Sequence, residues 1–217
     1  RTIADELEQA KETLQSRAAS PSGMVRINAP VFFGQRHIAP ALVGLAESYP
    51  TLQVELTLTD DFVDPHREAT DVIFRIGALT DSAFHARVFG NQHYHLAASP
   101  AYLRQHGAPQ SPGDIQQHAC LVYKGSSGPN RWLLKQGEAP WVHYPLLPKL
   151  ISNNADALLS AALGGMGLVL FPDWLIGDCL KNGTLVKLLA DFDAAIHTEA
   201  QQIAALYPNA RLPPLNV

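Results

Sequence analysis

Gly23-Met-Val-Arg-Ile-Asn-Ala-Pro30 follows a Pro21-Ser22 breaker, and its reading decides how the rest of the chain is read. Met24 to Ala29 alternates as a strand, and Pro30 has the fixed φ suited to the first turn of a helix. The pattern predicts a helix from about Pro30 to Ser48, with Phe33, Ile38, Leu42, Leu45 and Ala46 as its buried stripe. Tyr49-Pro50 stops it, because a residue before proline disfavours the helical region. Gln53 to Thr59 reads as the next strand. Asp60 and Asp61 can cap a short polar helix around Asp64 to Ala69, and Val72 to Gly77 then reads as a central strand. Strand, helix, strand, helix, strand implies a mostly parallel sheet covered by helices, with ligands outside the carboxyl ends of the strands. The loops after Asn28, Thr59 and Ile76 are therefore expected to share one rim.

A second lobe of similar rhythm follows. Ala86–Phe89 and His93–Ala98 read as strands, and Ser99-Pro100 opens a short helix by serine capping and proline preorganisation. Another short helix starts at Pro112, Cys120–Tyr123 is a compact strand, and Gly125–Asn130 reads as a flexible loop. Trp132–Leu134 and Trp141–Tyr144 are expected to pair as a hairpin. Asn153 with Asp156 approximates a capping box for a helix running to Leu163 and stopping at Gly164-Gly165. Leu168–Phe171 reads as a buried strand, followed by a helix ending near Asn182. Leu185–Leu189 and Ile203–Tyr207 are further strand candidates, the second crossing back to complete the antiparallel edge of the first lobe. A binding cleft between the lobes is the natural expectation.

Composition narrows the classes of function. The chain has 217 residues, 47% of them hydrophobic, enough for one large core or two small ones. Sixteen basic against twenty acidic residues leave a net charge of -4, which argues against a surface built to hold bare nucleic acid. Cys120 and Cys179 are too few for a disulfide-rich scaffold or a four-cysteine zinc site, so a reducing, cytoplasmic setting is the simpler expectation. The apolar run Gly164–Pro172 falls far short of the ~20 residues that cross a bilayer. His93 and His95 alternate by two, but two ligands are not a metal site. Gly164-Gly-Met-Gly167 lacks the Walker lysine and the dinucleotide fingerprint, no serine lies in a nucleophile elbow, and no cysteine pair has redox spacing. No cofactor or metal is expected. At the amino end, Ile3, Leu7, Ala10 and Leu14 fall on one helical seam, compatible with a docked surface helix or with a coiled-coil linker. Both ends read as cut.

Four pieces in order carry a family resemblance: Gly23–Pro30; Asp71-Val-Ile-Phe-Arg-Ile-Gly77; Leu96-Ala-Ala-Ser-Pro-Ala-Tyr-Leu103; and Asn153-Asn-Ala-Asp-Ala157 with Ala161–Pro172. Together they resemble the LysR-type transcriptional regulators, specifically the effector-binding domain with the tail of the linker helix. The resemblance implies an α/β fold of two Rossmann-like subdomains joined by crossing strands, as in periplasmic binding proteins. It divides the chain into linker helix (1–20), subdomain I (21–96 and about 190–217) and subdomain II (97–189). It also implies an effector in the cleft and promoter DNA read by an N-terminal winged helix-turn-helix that this stretch lacks. The family's amphipathic terminal helix is missing after Pro214, where the chain reads Leu215-Asn216-Val217.

The residues expected at the effector site lie at strand ends and helix starts. Ala29, Pro30, Val31 and Phe32 offer helix-start amides that favour an anion and an apolar wall. The family's frequent Ser or Thr is absent here, pointing to a less polar or aromatic effector, while helix initiation alone also accounts for Pro30. Ser152, Asn153 and Asn154 offer hydrogen-bonding side chains that capping explains equally well. Gly77 and Thr80 follow a strand end, Ser99 and Pro100 sit at the second crossing, and Phe171 ends a strand on the other wall. Arg75 reads as a structural cation paired with an acid such as Asp71. Trp132, Trp141 and Trp174 read as packing residues.

The leading expectation is the sensing half of a bacterial transcriptional regulator. A small molecule would bind in the cleft and shift the population of dimer or tetramer geometries, without catalysis. A homodimer is expected through the long helix of the first lobe and an edge strand of the second. A solute-binding module of a transport system and a small enzyme using the cleft are the alternatives.

Overall fold

β1 (Gly23–Ala29) buries Val25 and Ile27 and ends on two consecutive buried residues, Asn28 and Ala29. The computed structural model describes residues 22–61, 70–78, 84–125 and 128–208. The linker seam, the short helix expected near residues 64–69, Thr80 and the carboxyl-terminal tail lie outside them. After β1 the chain enters α1 (Val31–Phe33), a π-helical turn (Gly34–Ile38) and α2 (Ala39–Ser48). The sequence predicts one uninterrupted α-helix here. Pro40, the second residue of α2, has no N–H to donate, and its ring crowds the carbonyl four residues earlier. The preceding turn widens in response, and the Ala39 N–H bonds the Gly34 carbonyl five residues back.

The expected stripe keeps its phase across this turn, because Phe33 and Ile38 are five residues apart, but it is not fully buried beyond it. Phe33 and Ile38 are buried, but α2 has no buried residue, and its Leu42 and Leu45 are only half-buried. Gly34 is dictated by space, since a Cβ there would collide with the Leu58 side chain.

β2 (Leu52–Leu58) lies parallel to β1, in register from Gly23 with Leu52 to Ala29 with Leu58. β3 (Val72–Gly77) lies parallel to β1 on the other side, and β4 (Phe84–Asn91) follows. The carboxyl ends of β1, β2 and β3 therefore point one way.

The remaining elements are β5 (Tyr94–Ala98), α3 (Pro100–His106), a 3-10 turn (Pro112–Gln117), β6 (Ala119–Gly125), β7 (Gly128–Pro129), β8 (Trp132–Lys135) and β9 (Val142–Tyr144). They continue with β10 (Leu147–Ser152), α4 (Ala155–Leu163), β11 (Leu168–Pro172), α5 (Asp173–Lys181), β12 (Val186–Lys187), β13 (Asp193–Ala195) and β14 (Gln202–Pro208). Several expectations change here. Gly125–Asn130 is not a free loop, because Gly128 and Pro129 pair back onto Gly125 and Lys124. The strand expected at Leu185–Leu189 shrinks to β12, since Leu189 turns to φ +48° and ends it. β14 is not the edge of its sheet but lies between β3 and β4.

The chain divides into two compact units. Unit 1 takes its described residues from within Arg1–Phe74, Asp81–Arg87 and Ala205–Val217; unit 2 is Arg75–Thr80 and Val88–Ala204. The boundary falls inside β3, β4 and β14. One five-stranded sheet has the order β2-β1-β3-β14-β4, and the other follows β10-β6-β11-β5-β13-β8-β9.

In unit 2, β10, β6 and β11 are parallel and β5 is antiparallel to β11. One face of this sheet builds a core of Leu96, Tyr102, Ile115, Val122, Trp132 and Leu168 with their neighbours. The other is covered by α4 and α5, through buried Leu158, Leu159, Leu175 and Ile176. Gly167 is required where β11 begins, because a Cβ would run into the backbone of Ala119. Among the described residues no helix is long and apolar enough to cross a membrane.

Candidate functional site

The carboxyl-end rim of unit 1 is tied together by the main chain, with the Thr59 N–H bonding the Ala29 carbonyl at 3.0 Å. Ala29 is fully buried, Pro30 precedes the first helical residue, and Val31 carries the first amide available to an anion. That amide already has one: the Val31 N–H donates to Asp60 Oδ1 at 3.0 Å. The sequence pattern makes Asp60 the cap of the next helix, yet its carboxylate reaches back to the start of α1. Phe32 lies beside this start, with the Arg36 guanidinium 5.7 Å from its ring centroid. Asp71, suggested as a partner for Arg75, accepts the Arg26 amide through its carboxylate at 2.8 Å.

In unit 2 the helix-start expectation moves by one residue. Asn154, not Asn153, caps α4, and its Oδ1 accepts the Ala157 N–H at 2.8 Å. Ser152 Oγ accepts the Asn154 N–H at 3.1 Å, while Asn153 is exposed. The capping box expected from Asn153 and Asp156 is therefore replaced by a single Asn cap held by a serine turn.

Strand register shows which side chains share this rim. Ser152 on β10 pairs with Tyr123 on β6, and Phe171 on β11 pairs with His95 on β5. The pairing of Val169 with Leu121, carried two residues on, brings Phe171 level with Tyr123. Cys120 and Val122 point into the Trp132 core, so alternation places Tyr123, Phe171 and His95 on the opposite face, at the amino ends of α4 and α5. Register thus brings Ser152 and Phe171 to one rim, joined by Tyr123 and His95, which the sequence reading does not select.

Ser99 and Pro100 separate from this group. They follow the far end of β5, beside the start of β11, and Ser99 is a buried cap whose Oγ accepts the Tyr102 N–H at 3.4 Å. Gly77 ends β3, where an added Cβ would face the Gln201 side chain. Nearby, the Gln92 N–H bonds the Gln201 carbonyl, the Trp174 indole donates to Gln92 Oε1 at 2.9 Å, and Gln92 Nε2 donates to Tyr94 Oη at 3.2 Å. Burial drives the Tyr94 hydroxyl above its ordinary range, against the opposing effect of the Gln92 bond. Trp174 therefore ties together the ends of the crossing strands rather than simply filling space.

His95 is electrostatically distinctive. Its Nδ1 is buried and has no hydrogen-bond partner among the described residues. Burial pushes its pKa below the ordinary 6.5, and the Lys187 ammonium adds to this more strongly than the Asp173 carboxylate opposes it. His93 does not share the strand: it precedes β5, and its carbonyl accepts the Asp173 N–H at 2.8 Å. Among the described residues, no three His, Cys, Asp or Glu side chains are grouped to hold a metal ion. Cys120 and Cys179 are free thiols, both buried, and burial lifts the Cys120 pKa to about 11, which keeps it protonated.

Comparison with known proteins agrees with this geometry. The model of the LysR substrate binding domain matches residues 18–216. An HTH-type transcriptional regulator of Haemophilus influenzae, itself uncharacterized, is 30% identical over 215 residues, covering 98% of this chain and 72% of the relative. The crystal structure of a full-length AphB variant superposes with a TM-score of 0.79 at 28% identity, covering 98% of this chain and 70% of that one. The regulatory domain of AphB in Vibrio vulnificus superposes with a TM-score of 0.73 at 29% identity, covering 89% of this chain and 92% of that domain.

Proposed function

The chain belongs to the LysR substrate-binding domain family, whose matched relatives are HTH-type transcriptional regulators, and we propose from this how its own residues sense an effector. The observation that carries the proposal is the strand-end rim of unit 2, where Ser152, Tyr123, Phe171 and His95 align beside two helix starts. Parallel strands present backbone and side-chain groups at their carboxyl ends, and an effector seated there meets an aromatic wall with a few polar groups. In unit 1, the rim with Val31, Phe32 and Asp60 is a second candidate for effector contact. Gly77 and Thr80 are further candidates. Ser99 and Pro100 are structural caps in this reading.

Binding biases the geometry of an oligomer, and promoter DNA is contacted by a helix-turn-helix outside this stretch, as the type of the relatives suggests. Effector binding must differ between two arrangements to do this. The subdomain division read from the sequence, a cytoplasmic location and the lack of catalysis are parts of the same proposal. Transport finds no support among the relatives.

Self-association has a physical basis in each unit. Unit 1 exposes α2, with Val43 61% exposed, next to edge strand β2; unit 2 exposes Leu147 and Ile151 on edge strand β10. An apolar helix and a free strand edge on each chain suit a reciprocal twofold pairing. Sedimentation is expected to show a dimer, shifted to monomer by Val43→Asp with Ile151→Asp.

Titration calorimetry against a panel of small metabolites tests the sensing role. A binder is expected whose affinity falls about tenfold, or ~1.4 kcal/mol, in Phe171→Leu. Binding unaffected by Phe171→Leu and Ser152→Ala would remove the unit 2 rim from the site.

A further inference from the structure

Phe171 and His95 face each other across adjacent strands, and what His95 lacks tells more than what it touches. A buried ring nitrogen without a partner is rare, because its desolvation goes uncompensated. Nδ1 of His95 is such an atom among the described residues. It lies in the strand-end row with Ser152, Tyr123 and Phe171, the place where this fold presents its ligand groups.

The charges around it come from three elements. From β12, Lys187 pairs with Ala97, two residues along from His95 on the same face of β5. From the start of α5 comes Asp173, and from the segment before β5 comes His93. Burial first and the Lys187 ammonium second lower the His95 pKa, against the opposing Asp173 carboxylate. A buried nitrogen wanting a partner, a lysine in register on the same strand face and an adjacent phenyl ring suit an anion attached to an apolar body.

We propose that His95 Nδ1, with Lys187, is the recognition group for a carboxylate of the effector, whose apolar part lies against Phe171. The proposal rests on the reading of the unit 2 rim as an effector site. In the complex, Nδ1–H donates to a carboxylate oxygen and Lys187 neutralises the remaining charge, a charge-assisted arrangement stronger than a neutral bond. A carboxylate beside His95 raises its pKa, so binding takes up a proton, and affinity rises as pH falls through the range between the free and bound values.

Phenylacetate and its uncharged isostere phenylacetamide are the probes, with imidazole 15N spectra of the whole chain as the readout. Millimolar phenylacetate is expected to shift the His95 ring signals and phenylacetamide to leave them in place. Lys187→Gln, an exposed change that spares folding, is expected to weaken phenylacetate binding several-fold, and His95→Gln by about tenfold, ~1.4 kcal/mol. Unmoved His95 signals, equal responses to the two probes, or unchanged affinity in both variants would each overturn the assignment. A panel metabolite that loses affinity in Phe171→Leu but binds His95→Gln normally would overturn it while leaving the sensing rim intact.

Discussion

Trp132, Tyr102 and Ile115 in unit 2 are almost wholly sealed from water, whereas α2 in unit 1 has no buried residue at all. The two units also treat their helix starts differently. Unit 2 caps α4 with the adjacent Asn154, and unit 1 borrows the carboxylate of Asp60 from a loop 29 residues further on. Unit 2 completes its own core, while unit 1 leaves apolar helix surface for another surface to cover. An oligomer interface and a sensing site make different demands on a fold. An interface needs exposed apolar area, and a site needs preorganised side chains on a rigid sheet.

The largest test of this contrast is truncation. Trp132→Ala is expected to cost about 3–5 kcal/mol in urea unfolding followed by circular dichroism. Leu42→Ala in α2 should cost ~1 kcal/mol or less in the monomer, since little apolar area is removed from water there. Equal costs would break the comparison.

Two glycines sharpen it with opposite signs. Gly167→Ala forces a methyl against the Ala119 backbone and is expected to destabilise by about 1–3 kcal/mol. Gly44→Ala, in an exposed helix interior with nothing within 4 Å of the new methyl, is expected to stabilise by ~0.5–1 kcal/mol. Thermal unfolding of the pair reads both. Asn154→Ala, which removes a cap, should cost about 1 kcal/mol in the same measurement. Asp60→Ala, which removes an exposed carboxylate from a helix start, should cost ~0.3–1 kcal/mol.

Acid separates the units more gently. His118 is buried in unit 2, where Tyr102 Oη accepts the Ala119 N–H and shares a hydrogen bond with His118 Nδ1, while the His106 ring stacks on Tyr102 at 4.4 Å. Burial first, and His106 second, push the His118 pKa below 6.5, against the pull of Asp114. The unfolded chain therefore binds a proton that the folded chain refuses. Stability is full above about pH 6.5, falls on acidification below it, and levels off once the folded imidazole protonates. Unfolding followed across pH should show this slope, and His118→Asn should flatten it.

Much of the fold is legible in the sequence because strand periodicity is local. Val25 and Ile27, Val72 to Gly77, and Leu168 to Phe171 announce buried strands by their own spacing, and Gly164-Gly165 announces a helix stop. Ser152 and Phe171 are recognisable as candidates because strand ends and helix starts follow from the same spacing. The bond from the Val31 N–H to Asp60 is not legible, because it spans 29 residues. Alternation alone puts His95 and His93 on one face of a strand, and the actual start of β5 at Tyr94 leaves His93 just outside it. The π turn hides in a pattern that otherwise reads as a single helix, although Pro40 is its visible cause.

The amino-acid sequence by itself determined the alternation of strands and helices, the two lobes, the absence of a nucleotide fingerprint and the family motifs, because each depends on neighbours a few residues apart. Only the tertiary structure decided that Asp60 accepts the amide at the start of α1, that Ser99 lies at the opposite end of β5 from Phe171, and that His95 Nδ1 is left without a partner among the described residues. Those facts depend on which strands pair and in what register, and register brings together residues whose separation along the chain carries no local signal.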